Sequence, residues 1–66
     1  MLIQFQDLRE KHFFYIEAND VKSVEGFIDP IENCNAAFIR CYTGDNYIVF
    51  GFSKHLIQKI NSARGK

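Results

Sequence analysis

The sequence predicts a single α+β domain over residues 1–66: a strongly curved antiparallel sheet of four or five strands followed by one C-terminal amphipathic helix. Two patterns predict this class. Most of the chain consists of short apolar or alternating runs separated by turn residues, as in antiparallel sheets. Residues 53–65 instead repeat apolar side chains at helical spacing. At 66 residues and 47% hydrophobic, the chain suits one small folded domain rather than two domains or a disordered segment.

Two strands are predicted at the start of the chain. Residues 1–6 alternate apolar and polar side chains, so Ile3 and Phe5 share one face of a half-buried strand. A polar turn follows over residues 7–11. Residues 12–17 are aromatic and β-branched with apolar side chains on both faces, which suits a second strand.

A turn and a third strand come next. Residues 18–21 contain Asn and Asp, whose side chains hydrogen-bond the nearby backbone and favour a tight turn. Residues 24–28 suit a strand, in which Gly26 marks either a bulge or the close approach of another segment. A short helix over residues 20–25 is the alternative. Residues 29–35, with one proline and two asparagines, are predicted to form a turn-rich connection.

A β-hairpin over residues 36–52 is the strongest local signal. Two apolar arms, residues 36–42 and 47–52, flank a turn of Thr, Gly, Asp and Asn over residues 43–46. Gly, Asp and Asn tolerate the positive φ angles that tight hairpin turns need. The second arm is apolar on both faces, which favours a central or interface strand.

The last element is predicted to be a helix that begins after Ser53, a good N-cap residue. Its apolar side chains, Leu56, Ile57, Ile60 and Ala63, fall on one face. The helix is therefore expected to lie on the sheet.

The charge distribution is uneven although the net charge is zero. Residues 1–33 carry seven acids and three bases, whereas residues 34–66 carry one acid and five bases, so the halves are −4 and +4. The zero balance argues against a general nucleic-acid coat protein and against an acidic DNA mimic. The simplest explanation is that these charges lie on solvated faces. The alternative is a dipolar molecule that associates with a second copy of itself or with a polarised partner.

No arrangement of catalytic or metal-binding residues is signalled. The candidate nucleophiles Cys34 and Cys41 and the candidate bases His12 and His55 have no characteristic spacing. Neither a zinc pattern nor a phosphate-binding loop is present, so no enzyme activity, metal, cofactor or small-molecule substrate is expected. The start of the chain lacks the features of a signal peptide, and no run is long enough to span a membrane. A reducing cytoplasm is the expected compartment.

The surplus of aromatic residues predicts a protein-binding surface. Ten Phe and Tyr residues exceed what a domain of this size buries comfortably. The predicted surface, on the sheet face opposite the helix, consists of Phe13, Tyr15, Phe27, Tyr47 and Val49. A second copy or a larger protein would cover this face; a strongly bent sheet that encloses both sets of rings is the structural alternative. The predicted function is a non-enzymatic interaction or regulatory accessory module that self-associates or docks on a larger cytoplasmic machine.

Nucleic-acid binding is the second functional hypothesis. Lys54, His55, Lys59 and Arg64 form a basic stripe on the predicted helix, which Lys66 extends. Exposed tyrosines would stack bases in such a complex. The sequence contains no RNP-like motif.

The chain resembles the FlbD-type small proteins associated with flagellar and swarming motility. The resemblance lies in residues 1–3 with Leu8, 14–16, 19–25, Phe38 and Ile39 before the Gly-containing turn, 47–49 and 53–60. Residues 9–11 and 29–35 depart from that pattern. The resemblance implies a non-enzymatic cytoplasmic accessory protein and carries over no catalytic residue.

Overall fold

In a computed structural model, which describes residues 1–65, the chain forms five strands and one helix. The elements in order are β1 (Leu2–Gln6), β2 (Phe13–Glu17), a 3₁₀ turn (Ala18–Asp20), β3 (Val21–Asp29), β4 (Cys34–Cys41), β5 (Asn46–Phe50) and α1 (Ser53–Arg64). All strand pairs are antiparallel. The predicted α+β class and the C-terminal helix are confirmed.

The strands form two sheets rather than the single curved sheet that the sequence predicts. β1 and β2 form one sheet, and β3, β4 and β5 form the other in that order. The sheets touch where the chain leaves β1: Asp7 makes an isolated bridge to Val49, and the Leu8 N–H donates to the Ile48 carbonyl at 2.9 Å. Because the chain then turns back into β2, pairing between β1 and β5 does not continue beyond this point.

The predicted hairpin is formed by β4 and β5. Ile39 lies opposite Tyr47, and the turn contains Gly44 at a φ of 99°. β4 begins at Cys34, two residues before the predicted start. β5 ends at Phe50, because the next residue, Gly51, has a φ of 126°, which favours glycine and turns the chain toward α1.

The predicted third strand is longer than expected. β3 starts at Val21, so the alternative of a helix over residues 20–25 is wrong. Its bulge lies between Val21 and Ser23 rather than at Gly26. Gly26 marks the close approach instead: a Cβ there would lie 2.8 Å from the Cβ of Ser53, at the start of the helix.

Helix α1 packs on β3, the 3₁₀ turn and β1. Phe52 occupies the N-cap position and the helix begins at Ser53, so the prediction of a Ser53 N-cap is wrong. Leu56 and Ile60 are buried, whereas Ile57 is 41% exposed, so the buried face is narrower than predicted. No helix within residues 1–65 has the length and apolar character needed to cross a membrane.

The core lies where the two sheets and the helix meet. It draws aliphatic residues from every strand and from α1, which is why short elements suffice to hold the domain together. Its main members are Ile3, Phe5, Ile16, Val21, Ala37, Ile39, Val49, Leu56 and Ile60.

An ion pair between the exposed Arg9 side chain and the buried Asp29 carboxylate ties the β1–β2 loop to the end of β3. Asp29 is 1% exposed and accepts two hydrogen bonds from the Arg9 guanidinium, at 2.8 and 3.1 Å. The Glu32 N–H donates a third bond to the same carboxylate at 2.7 Å. The Arg9 bonds first, and then the Glu32 N–H, lower the pKa of Asp29.

We expect this pair to make stability depend on acid pH. Because the pKa of Asp29 is lowered in the folded state, the stability that this carboxylate contributes is complete above its unfolded pKa of 3.8. That stability is lost as pH falls through the lowered folded-state pKa. Asp29→Asn should therefore melt at a lower temperature than the wild type at pH 7, and the gap should narrow below about pH 4. Thermal melts followed by circular dichroism from pH 7 to pH 2 measure both. Parallel curves at every pH would contradict the assignment.

Candidate functional site

The structure separates the five residues of the predicted protein-binding surface. Phe13 and Tyr15 are each 61% exposed on β2, and Phe27 is 37% exposed on β3, in the other sheet. Val49 is fully buried and Tyr47 is half-buried. The prediction that these five residues line one exposed face is therefore corrected.

Packing between the sheets is the reason for this correction. Val49 belongs to the core cluster, beside the point where Asp7 bridges to β5. The Tyr47 ring packs against Phe14 of β2, with 5.0 Å between ring centroids. Tyr47 and Val49 of β5, which the sequence predicts on an outer face, thus lie against the first sheet.

The exposed apolar surface that does form lies on the β1–β2 hairpin. Leu2 pairs with Glu17, Gln4 with Tyr15 and Gln6 with Phe13, so these residues share a face. Leu2, Phe13 and Tyr15 are the exposed apolar residues on it. We call these three residues the hairpin face. Side chains alternate between buried and exposed along β2, as Ile16 and Tyr15 show. This alternation is the feature of the sequence that indicates the hairpin face.

One edge of β2 is open. Among residues 1–65, β2 pairs only with β1. The Ala18 N–H donates to the Met1 carbonyl at 2.9 Å. The Asp7 N–H donates to the His12 carbonyl, also at 2.9 Å. Because antiparallel pairs alternate between hydrogen-bonded and non-hydrogen-bonded positions, even-numbered residues of β2 direct their backbone groups toward β1.

The odd-numbered residues Phe13 and Tyr15 therefore direct their backbone N–H and C=O groups outward. An independent contact supports this assignment of inward and outward backbone groups. Gln4, which lies opposite Tyr15, has a carbonyl that accepts from the Lys59 ammonium at 2.7 Å, away from β2. The open edge thus presents two N–H and two C=O groups beside two exposed aromatic rings.

Two of the four predicted nucleic-acid-binding residues hold the helix on the sheet. Lys59 donates to Gln4, as described above, and its ammonium lies 5.4 Å from the centre of the Phe5 ring. The Arg64 guanidinium donates to the carbonyls of Ala18 and Val21 at the 3₁₀ turn. These contacts direct both cationic groups toward the protein.

The other two basic residues lie at the start of α1. Lys54 and His55 are exposed, and the His55 ring meets Phe52 edge-on, with 5.5 Å between centroids. Lys66, which extends the predicted stripe, lies outside the described residues. The four basic side chains therefore do not act as one uniform free surface.

Cys41 lies in an environment that does not activate its thiol. Cys41 is buried and Cys34 is half-buried. Desolvation by burial, followed by the charges of Asp20 and Asp45, raises the pKa of the Cys41 thiol. A raised pKa favours the protonated thiol, whereas a nucleophilic cysteine requires a lowered one.

A group of potential metal ligands that sequence spacing did not indicate lies in the β1–β2 loop. Ligand atoms of Asp7, Glu10 and His12 lie within 4.8 Å of one another. Asp7 accepts from the backbone N–H groups of Arg9 and Glu10 at 3.0 and 2.7 Å, which shapes the loop. The group is exposed or half-exposed, and turn formation accounts for the carboxylate of Asp7.

A shallow apolar cavity of about 260 Å³ adjoins the hairpin face. Leu2 and Ile3 line one side, and Lys59, Ser62 and Ala63 of α1 line the other. Its volume is below the roughly 300–1,000 Å³ typical of small-molecule sites. The cavity is better regarded as a continuation of the exposed apolar surface.

The fold and the exposed surface define a small α+β domain with one open, aromatic edge strand. Comparisons with protein-family models, curated proteins and solved structures give no significant match to this chain. The resemblance to FlbD-type proteins, and the motility role that it implies, stay predictions.

Proposed function

We propose that the protein is a non-enzymatic interaction module that binds other protein chains at the open edge of β2. One observation carries the proposal: outward backbone N–H and C=O groups of Phe13 and Tyr15 lie beside their exposed rings. Addition of an extended strand at such an edge satisfies the backbone groups, and the neighbouring side chains supply contact area. In this role the domain acts as an accessory to a larger assembly.

A comparison with β3, an outer strand of the three-stranded sheet, supports the choice of β2. Proteins protect edge strands from unwanted pairing with charged residues and bulges. β3 carries both, since its bulge lies between Val21 and Ser23 and Lys22 and Glu25 are exposed. β2 instead reads Phe-Phe-Tyr-Ile-Glu, with a single charge at its end. The unprotected edge strand is therefore the one that bears the two more exposed aromatic rings, Phe13 and Tyr15.

The proposal is tested by comparing which proteins the domain captures from its native host. Tyr15→Asp places a charge at the centre of the edge and should lose captured proteins, while keeping its fold because Tyr15 is exposed. Ile31→Asp is the matched control, because Ile31 is 76% exposed in the β3–β4 connection. Quantitative mass spectrometry of the eluates provides the measurement.

Hydrogen exchange adds a readout that capture alone does not supply. Amides of Phe13 and Tyr15 should exchange quickly in the free domain and slowly in the bound state. The amides of Phe14 and Ile16 should be protected in both states, since they face β1. Unchanged capture by Tyr15→Asp, together with fast exchange at Tyr15 in every eluted complex, would contradict the proposal.

A further inference from the structure

We infer that the partner at the β2 edge is a second copy of this chain, paired antiparallel through β2 about a two-fold axis. This inference rests on the proposed function, since it uses the same edge. The product is a four-stranded sheet in the order β1-β2-β2-β1, which joins the hairpin faces of the two copies. A two-fold interface uses the same patch on both copies, so the patch must complement itself.

The positions of the outward backbone groups favour one register between the two copies of β2. Only Phe13 and Tyr15 offer both an outward N–H and an outward C=O inside the strand. With Phe13 opposite Tyr15 of the second copy, and Tyr15 opposite Phe13, each pair exchanges two hydrogen bonds, which satisfies all four groups on each copy. The two-fold axis then passes beside Phe14.

The neighbouring register is less favourable for a structural reason. A shift that places Tyr15 opposite itself brings Phe13 opposite Glu17. Glu17 is the N-cap of the 3₁₀ turn, and the carbonyl at that position accepts the first bond within the turn. Its carbonyl is therefore already used, so this register leaves the Phe13 N–H poorly satisfied.

Side chains in the first register also complement one another. Phe13 faces Tyr15 across the axis twice, and directly opposite aromatic pairs are favourable cross-strand contacts. The charged groups at the ends of β2 are already paired within each copy, Lys11 with Glu32 at 2.6 Å and Glu17 with the N-terminal ammonium at 2.8 Å. The backbone hydrogen bonds and the aromatic pairs therefore determine the register.

The exposed area predicts a weak dimer. Aromatic side chains bury about 150–250 Å² when fully covered, and Phe13 and Tyr15 are each 61% exposed. The two rings therefore offer roughly 200–300 Å² per copy, below the roughly 800 Å² per partner of a standard stable interface. We expect a concentration-dependent equilibrium with a dissociation constant in the micromolar range or weaker.

Disulfide trapping tests the register directly. In a Cys34→Ser, Cys41→Ala background whose fold is checked by circular dichroism, Phe13→Cys chains mixed with Tyr15→Cys chains should form a covalent dimer under mild oxidation. Either chain alone should not, because identical positions are diagonal in this register and more than about 7 Å apart. Ile31→Cys alone controls for random collision. Light scattering on the unmodified chain should show its mass rising toward twice the monomer mass with concentration.

Each outcome decides the matter. A mixed disulfide together with a concentration-dependent dimer supports the inference. A disulfide from Tyr15→Cys alone overturns the register, and a monomer at millimolar concentration with no disulfide overturns the identity of the partner. In that last case the proposed function still stands if Tyr15→Asp loses captured proteins. If capture is also unchanged, both the inference and the proposed function fail.

Discussion

Val49→Asp is expected to unfold the domain, with a loss of more than about 4 kcal/mol in the free energy of unfolding. Val49 is fully buried among aliphatic residues, so the new carboxylate would have neither water nor a cation to stabilise it. Phe13→Asp is the matched control, because the same new charge at a residue that is 61% exposed should leave the fold intact. Far-ultraviolet circular dichroism and urea titration at pH 7 distinguish the two variants.

This pair of variants tests where the boundary between core and surface lies. The sequence assigned both residues to one exposed face, and the structure places them on opposite sides of that boundary. A cooperative urea transition for Val49→Asp similar to that of the wild type would show that β5 is not packed against the first sheet. The burial of Val49 would then be wrong.

Ile39→Ala is expected to lower the free energy of unfolding by about 2–5 kcal/mol, because it removes a fully buried side chain and leaves a cavity. A domain of 66 residues has a total stability of only about 3–10 kcal/mol. The variant should therefore be partly or wholly unfolded at 25 °C. Ile28→Ala, on the neighbouring strand, removes the same atoms from a residue that is 69% exposed and should change stability by less than about 0.5 kcal/mol.

Urea denaturation of the three proteins measures the difference. The midpoint should fall sharply for Ile39→Ala and stay within error for Ile28→Ala, with slopes similar to that of the wild type. Equal midpoints for the two alanine variants would contradict the position of Ile39 at the centre of the three-stranded sheet.

Local patterns predicted most of the secondary structure. Alternation in residues 1–6, the Gly-Asp-Asn turn of the hairpin and the helical spacing after residue 53 each depend on neighbouring residues alone, and each element forms. The close approach at Gly26 was also predicted as one of two alternatives. The Ser53 N-cap failed because Ser53 is already the first helical residue, whereas Phe52 has the extended backbone of an N-cap, with φ −73° and ψ 130°.

The division into two sheets could not be predicted from neighbouring residues alone. It depends on where β1 meets β5, and this contact joins Asp7 and Leu8 to residues about 40 positions later in the sequence. Whether a strand with two apolar faces buries one face or both depends on what lies against it. That is why Val49 and Tyr47 were misplaced, while the exposed positions of Phe13 and Tyr15 agree with the predicted surface.

The Arg9–Asp29 ion pair is a second feature that the sequence did not predict. Its position in a segment rich in turn residues gave no sign that Arg9, 20 residues earlier, would pair with it in a buried site. Which backbone groups of β2 point outward likewise depends on the hydrogen bonds between β2 and β1, and residue spacing alone does not reveal these bonds.

The bonds from Arg64 also bear on the order of folding. They join the end of the helix to carbonyls 46 and 43 residues earlier in the chain. A 12-residue helix is marginal in isolation, and closing a loop of this length costs entropy. The helix is therefore expected to form only as it docks on a 3₁₀ turn that is already in place. Helix formation and completion of the core should then occur in one cooperative event, and the amides of α1 should exchange at the rate of global unfolding.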